Sequence, residues 1–397
     1  MLLITKPDSE VAFEETTFVR QHAMQLLSHI IIFGLAASAA ARAVISRDGE
    51  GNSPSWTGTN LYYLQALSDD DQDAYIQKLV EYDTKAIRLW VNGHQPGCEK
   101  GSQRVRTIPP LEDTLGVYND ECLDELDRVM VKLQENNIKT FISPHDSNSL
   151  LGDYRADIYY ETFGLSAFYV DQAAFDAYDA RLSHILNYQG AYSGKVWKEW
   201  PEAIASFNLQ NEPMTPDPSV CQGGDAQGWL CGRATHLRDE LGPDSPIIVS
   251  TGGVGGDFSH QCTFVAAVTQ CDAVDAISVH RYASVPGNWD LVLDDWLTQA
   301  NGKLVYLEEW GIDASRYDRA TAFPQEVGTM NSVGFPSMYW QILPAAVDEC
   351  PYDPANDGDP FGIFTDSNVD LAGPMNAATE VTAAQDWTGI IYSDGSS

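Results

Sequence analysis

Apolar and polar positions along the chain follow two alternating rhythms. Short runs rich in β-branched, apolar and aromatic residues recur at 56–61, 86–90, 139–143, 204–209, 247–251, 276–279, 304–308 and 337–340. Longer stretches with helical spacing lie between them. Within 121–136, Leu123, Leu126, Val129, Met130 and Leu133 return every three or four positions and form one apolar stripe. Comparable patterns predict helices over 70–82, 172–187, 229–241 and 288–301. Short runs alternating with helices are the signature of parallel strands, whose two faces must both be covered. Eight such units predict an α/β fold, a (β/α)8 TIM barrel.

No repeat or low-complexity linker divides residues 44–397, so the barrel is expected to be a single domain. Long excursions at 93–119, 146–170, 213–228 and 343–371 follow predicted strands. In such a barrel the segments after the strands build the active face, so these insertions are expected to wall a cleft.

The strand ends carry the candidate chemistry. Six of the eight finish in polar or aromatic groups suited to sugar: Arg88 and Trp90, His145 and Asp146, Asn211 and Glu212, His280 and Tyr282, Glu309 and Trp310, Trp340 and Gln341. Two glutamates stand out, in Phe207-Asn-Leu-Gln-Asn-Glu212-Pro213 and Leu304-Val-Tyr-Leu-Glu308-Glu309-Trp310-Gly311. Splitting a glycosidic bond needs one carboxyl to protonate the leaving oxygen and another to act on the anomeric carbon. The acid of such a pair must hold its proton, so burial and an ionised partner are expected to raise the pKa of Glu212. Glu308 and Glu309 are adjacent, and alternation lets only one reach the cleft. The other is expected behind the strand in an ion pair or hydrogen bond. Arg88, set between Ile87 and Leu89, has the fork to keep a carboxylate ionised, and Tyr282 can donate to the same group. Trp56, Trp90, Trp310 and Trp340 offer faces for sugar stacking, with core packing an equal reading for Trp56 and Trp90. His145 and His280 read as hydrogen-bonding wall residues, and no metal is expected.

Composition narrows the partners. The 397 residues, 44% hydrophobic and 11% aromatic, suffice for one large core. A net charge of −34 repels phosphate backbones and anionic lipid, which excludes nucleic acid and membrane and suits a β-linked neutral polysaccharide. No cofactor is expected: Gly252-Gly-Val-Gly-Gly256 is interrupted by Phe258 where the dinucleotide fingerprint needs glycine. Asp353–Asp359 mimics a calcium loop but has Ala355 at the third position, so it reads as a solvated acidic loop. The apolar run at 30–41, followed by Ala37-Ser-Ala39 and Ala41-Arg-Ala43, has the form of a signal-peptide core. Translation from Met24 would make 24–43 the signal and 1–23, with Asp8, Glu10, Glu14 and Glu15, a non-native extension. All seven cysteines lie beyond it, as expected of a secreted monomer. Cys221 with Cys231 and Cys262 with Cys271 are plausible local pairs, and one thiol among Cys98, Cys122 and Cys350 should stay free.

As a set these residues resemble glycoside hydrolase family 5, over most of residues 44–397. The resemblance implies that Glu212, in Asn-Glu-Pro, is the acid/base and that Asn211 binds the sugar 2-hydroxyl. It makes Glu309 the nucleophile and Arg88, His145, His280, Tyr282 and Trp340 the surrounding substrate-binding groups. Gly58-Thr-Asn-Leu-Tyr-Tyr63, Arg88-Leu-Trp90, Glu308-Glu-Trp-Gly311 and Met338-Tyr-Trp-Gln341 look most like endo-β-1,4-mannanases. They imply retaining cleavage of internal mannosidic bonds by double displacement. An endo-β-glucanase, or a sugar-binding barrel without catalysis, is the alternative.

Overall fold

The computed structural model describes residues 53–392 except 105, 255–261 and 283–284. The expected signal and the extension before it lie outside these residues. Eight parallel strands close into a barrel. They are β1 (Thr57–Asn60), β2 (Ala86–Trp90), β3 (Lys139–Ser143), β4 (Ile204–Asn208), β5 (Ile248–Ser250), β6 (Ala276–His280), β7 (Leu304–Trp310) and β8 (Ser337–Tyr339). Each pairs with its neighbours in chain order, and β8 closes on β1. All eight coincide with the apolar runs, so the expected (β/α)8 barrel is the fold.

Helices follow the stripe pattern. Gln172–Asn187 and Trp229–Leu241 match the predicted spans, and Asp69–Glu81, Glu121–Glu135 and Trp289–Gln299 differ from them only at the ends. Among the described residues, two of the longer helices give no such signal. Ile158–Phe168 is rich in apolar residues on all sides and contains Gly164 at φ 68°, so it shows no stripe; Asp157 starts it by accepting from the Tyr159 and Tyr160 amides. Arg319–Ser332, between β7 and β8, contains Pro324, which argues against a helix in sequence and is tolerated in its second turn.

The barrel interior is layered. At the strand starts Trp56, Ala86, Phe141, Ala205, Ile248, Ala276, Leu304, Tyr306 and Met338 pack together, and Trp387, Ile390 and Ile391 from the C-terminal tail cover them. Trp56 is therefore core, between Phe141, Tyr306 and Trp387. Towards the strand ends the inward positions turn polar and buried: Asn60, Arg88, Asn208, Ser250, Ser278, His280 and Glu308. Enclosed polar groups must find partners among themselves, so this layer is a hydrogen-bonded network.

Disulfides tie the excursions together. The bonds are Cys98–Cys350, Cys221–Cys262 and Cys231–Cys271, and the buried Cys122 is free. The expected local pairs are corrected. Cys231 lies in the helix Trp229–Leu241, which carries it away from Cys221 and towards Cys271. Proximity in sequence therefore misled, while the count of one free thiol held.

Candidate active site

The polar layer rises to a cluster of three carboxylates and two cations at the C-terminal rim. Arg88, fully buried on β2, donates from Nη1 to Glu309 (2.5 Å), from Nη2 to Asn211 (2.8 Å) and from Nε to Asn208 (2.9 Å). The Tyr282 hydroxyl donates to the second Glu309 oxygen at 2.7 Å. His280 Nδ1 lies 3.0 Å from Glu212 and 3.4 Å from Glu309, and its Nε2 lies 3.0 Å from Glu308. One oxygen of Glu212, one of Glu309 and a ring nitrogen of His280 fall within 4.8 Å of one another. Such a trio has the make-up of a metal site, but Arg88 and His280 already supply positive charge there.

Local backbone places Glu212 and the ring beside it. Glu212 follows β4 at φ 47°, a left-handed conformation that costs a non-glycine residue about 1–2 kcal/mol. Its amide donates to Gly252 (2.7 Å) and its carbonyl accepts from Ser147 (2.6 Å), which hold it there. On the neighbouring rim, Gly253 at φ 80° lies so close to His280 that a Cβ would sit 2.4 Å from the imidazole. The glycine-rich turn after β5 thus serves to seat that ring.

Glu308 is not behind the strand, where choosing Glu309 by the family 5 resemblance put it. Leu304, Tyr306 and Glu308 share the inner face of β7. Val279 pairs with Leu307 but His280 pairs with Glu309, so β7 bulges at Glu308. A bulge breaks the two-residue alternation and re-aims the next side chain. Both glutamates consequently reach the same Arg88 and His280. Glu308 also accepts from Asn208 (2.8 Å) and the Tyr306 hydroxyl (2.6 Å).

Charge distribution follows from these contacts. Burial pushes the Glu308 carboxyl up, but the Arg88 charge and the His280 hydrogen bond outweigh it and hold it down at about 2. For His280 burial acts downwards, and the Glu309 charge with hydrogen bonds to Glu212 and Glu308 lifts it to about 9. Glu309 is raised, chiefly by burial and then by the Glu212 charge, against the pull of His280 and Arg88. Glu212 is lowered: burial pushes up, but the His280 hydrogen bond and charge, with Arg88, pull it further down. This reverses the direction expected for Glu212. The reason is His280, which lies closer to Glu212 than to Glu309 and whose hydrogen bond and charge favour the ionised carboxylate.

The remaining candidates divide into two groups. Asn211 accepts from Arg88 and donates to Asp146 (2.8 Å), so it is locked beside Glu212. Trp90 lies under the Arg88 guanidinium, 4.3 Å from its ring centre, and meets Trp340 edge-on at 5.7 Å. Trp340 is half-buried at the rim and donates from its indole to Asp359 (3.0 Å). His145, in contrast, is buried away from the carboxylates: Nε2 donates to Asp157 (2.7 Å), Nδ1 accepts from Gln210 (2.7 Å), and Phe168 stacks on the ring. It braces the segment before Glu212. Trp310 is also core, packed on Trp289, Phe323 and Tyr339. Sequence reasoning missed Asn208 and Tyr306 as members of the network, while Glu308 has the ion pair and hydrogen bonds expected of it, on the inner face of the strand. Polar residues at Ser206 and Asn208 in an otherwise apolar strand were the available signal for the first.

Scanned against models of protein families the sequence matches none, and a search of curated proteins gives no match. Solved structures do match. An endo-1,4-beta-mannanase from Rhizomucor miehei superposes with a TM-score of 0.63 at 18% identity, covering 82% of this chain and 94% of that one. The fold is shared. A hyperthermostable endo-1,4-beta-D-mannanase from Thermotoga petrophila gives 0.60 at 19% identity over 82% and 99% of the two chains. A glycoside hydrolase family 5 mannosidase from Rhizomucor miehei gives 0.60 at 16% over 85% and 97%. At such identities the likeness establishes the barrel and its strand order, and the side chains must argue the chemistry.

Proposed function

We propose that the protein is a retaining glycoside hydrolase of family 5 type, acting on β-1,4-mannosidic bonds in an oxidising, extracellular setting. The observation that carries this is that Glu212 and Glu309 face the same His280 nitrogen, at 3.0 and 3.4 Å, with one oxygen of each within 4.8 Å of the other. Inverting enzymes separate their carboxyls by about 6.5–9.5 Å to admit a water, and retaining ones by about 5–5.5 Å. Glu309 attacks the anomeric carbon, aligned by Arg88 and Tyr282, while Glu212 gives a proton to the leaving oxygen. A bound sugar strips water from Glu212 and makes its charge costlier, so the proton crosses the 3.0 Å bond from His280. Once the glycosyl-enzyme ester forms, Glu309 loses its charge. His280 then loses one of its stabilising carboxylates, and Glu212 acts as base towards the incoming water. The fold shared with mannanases and a mannosidase supports β-mannan as substrate, and the three disulfides support export.

A panel of mannan, galactomannan, cellulose and mixed-linkage glucan, assayed for reducing ends, tests the assignment. Mannans should be cleaved, with Glu212→Gln slower by about 10²–10⁴-fold. Cleavage of glucans alone would transfer the assignment to β-glucan. Equal, near-zero rates of both proteins on every polymer would leave only a sugar-binding barrel.

A further inference from the structure

In an eight-stranded ring β4 and β8 stand opposite each other. If Glu212 at the end of β4 protonates the leaving oxygen, the sugar attacked by Glu309 extends the other way, towards Trp340 after β8 and Tyr62 after β1. That side is occupied. The Trp340 and Tyr62 rings lie 6.1 Å apart at an angle of 14°, and the Lys100 ammonium sits 5.2 Å and 5.1 Å from their centres. Lys100 pairs with Asp359, which also accepts from the Trp340 indole, while the Tyr62 hydroxyl donates to Glu99. The acidic loop that reads as solvated in sequence therefore ends in a carboxylate only 19% exposed, against a lysine 13% exposed.

The pair is held from both sides. Lys100 occupies the tip of a hairpin, Gly97–Glu99 with Ser102–Arg104, at φ 43°. Cys98–Cys350 fastens that hairpin to the excursion after β8, the Val347 amide donates to Gly101 (3.0 Å), and the Tyr352 hydroxyl donates to the Asp359 carbonyl (2.8 Å). A left-handed lysine is disfavoured, and these anchors maintain it.

Resting on the glycosidase assignment above, we propose that Lys100 and Asp359 close the non-reducing side of the cleft after the first sugar and bind hydroxyls of a chain-terminal unit. The enzyme then removes single sugars from chain ends, which revises the internal cleavage implied by the sequence resemblance. An ammonium and a carboxylate side by side suit vicinal hydroxyls, which both donate and accept.

Mannohexaose and cellohexaose labelled at the reducing end test this with the full chain, by following products from the first time points. The expected result is unlabelled monosaccharide with labelled pentaose. Lys100→Ala and Lys100→Met, the second keeping the stem over the rings, should each lower kcat/KM on a p-nitrophenyl β-glycoside by about 10- to 100-fold. Early labelled mono-, di- and trisaccharides from the wild type would overturn the proposal and leave the glycosidase standing. So would wild-type rates in both variants. No cleavage of either oligosaccharide or polymer would overturn both.

Discussion

Replacing Glu308 by glutamine tests whether the carboxylate beneath Glu212 and Glu309 sets the proton balance of the proposed site. The change is nearly isosteric and leaves Glu212 and Glu309 in place. Ionised, the cluster holds Glu212, Glu308 and Glu309 against Arg88 and His280, an excess of one negative charge, and the substitution makes it neutral. The elevation of His280 from 6.5 to about 9 corresponds to about 3 kcal/mol of net attraction for its proton. Three carboxylates supply it, and burial opposes them, so losing one removes at least about a third. The alkaline limb of kcat/KM should therefore move down by about one pH unit. Stability should fall as well. The new amide can accept from Asn208 and Tyr306 only by turning its NH2 towards His280 and Arg88, both donors. A buried mismatch of that kind costs about 2–4 kcal/mol, which lowers Tm by about 3–5 °C in a chain of this size. The assays are a pH–rate profile with a soluble aryl glycoside and thermal unfolding at neutral pH. An unmoved alkaline limb with Tm within about 1 °C of wild type would refute the reasoning.

Gly253→Ala should cut kcat by about tenfold or more with little loss of ground-state affinity, because the new Cβ would meet the His280 ring at 2.4 Å from a left-handed backbone; a wild-type kcat would show that the ring can shift freely. Stability should also depend on pH at both ends. His280, raised to about 9, contributes fully below about pH 6.5, and that contribution disappears as pH rises through 9. Glu308, lowered to about 2, contributes above about pH 4.5 and stops doing so as pH falls through 2. Each is worth about 3 kcal/mol, so denaturant titrations should give a plateau between about pH 5 and 7 that Glu308→Gln flattens on the acid side. Glu212→Ala should retain near wild-type formation of the glycosyl-enzyme from a dinitrophenyl glycoside, whose leaving group needs no proton, while losing activity on polymers; equal losses on both would contradict its role as acid.

How much was legible depends on the range of the interaction. The eight strands and five of the helices followed from local periodicity, since a strand covered on both faces must be apolar along its length whatever its neighbours are. The helix Ile158–Phe168 escaped because it lacks a polar side, and Arg319–Ser332 because it contains a proline. Glu212, Glu309, Arg88, Asn211, His280 and Tyr282 were legible as strand-end chemistry, and the fold brings them into one hydrogen-bonded group. His145 carried the same local signature, yet it lies behind Gln210, where only the path of the excursion after β3 puts it.

By itself the sequence determined a barrel with a carboxylate pair on its rim, because periodicity and strand-end residue types are properties of short segments. Only the tertiary structure decided which charges meet. The bulge in β7 brings Glu308 to the same cations as Glu309, and His280 sits closer to Glu212 than to Glu309. Likewise only the closed ring sets Lys100 and Asp359 over Trp340, joining residues hundreds of positions apart. Electrostatic energies vary with distances of tenths of an ångström and with exclusion of water, and neither is written into residue order.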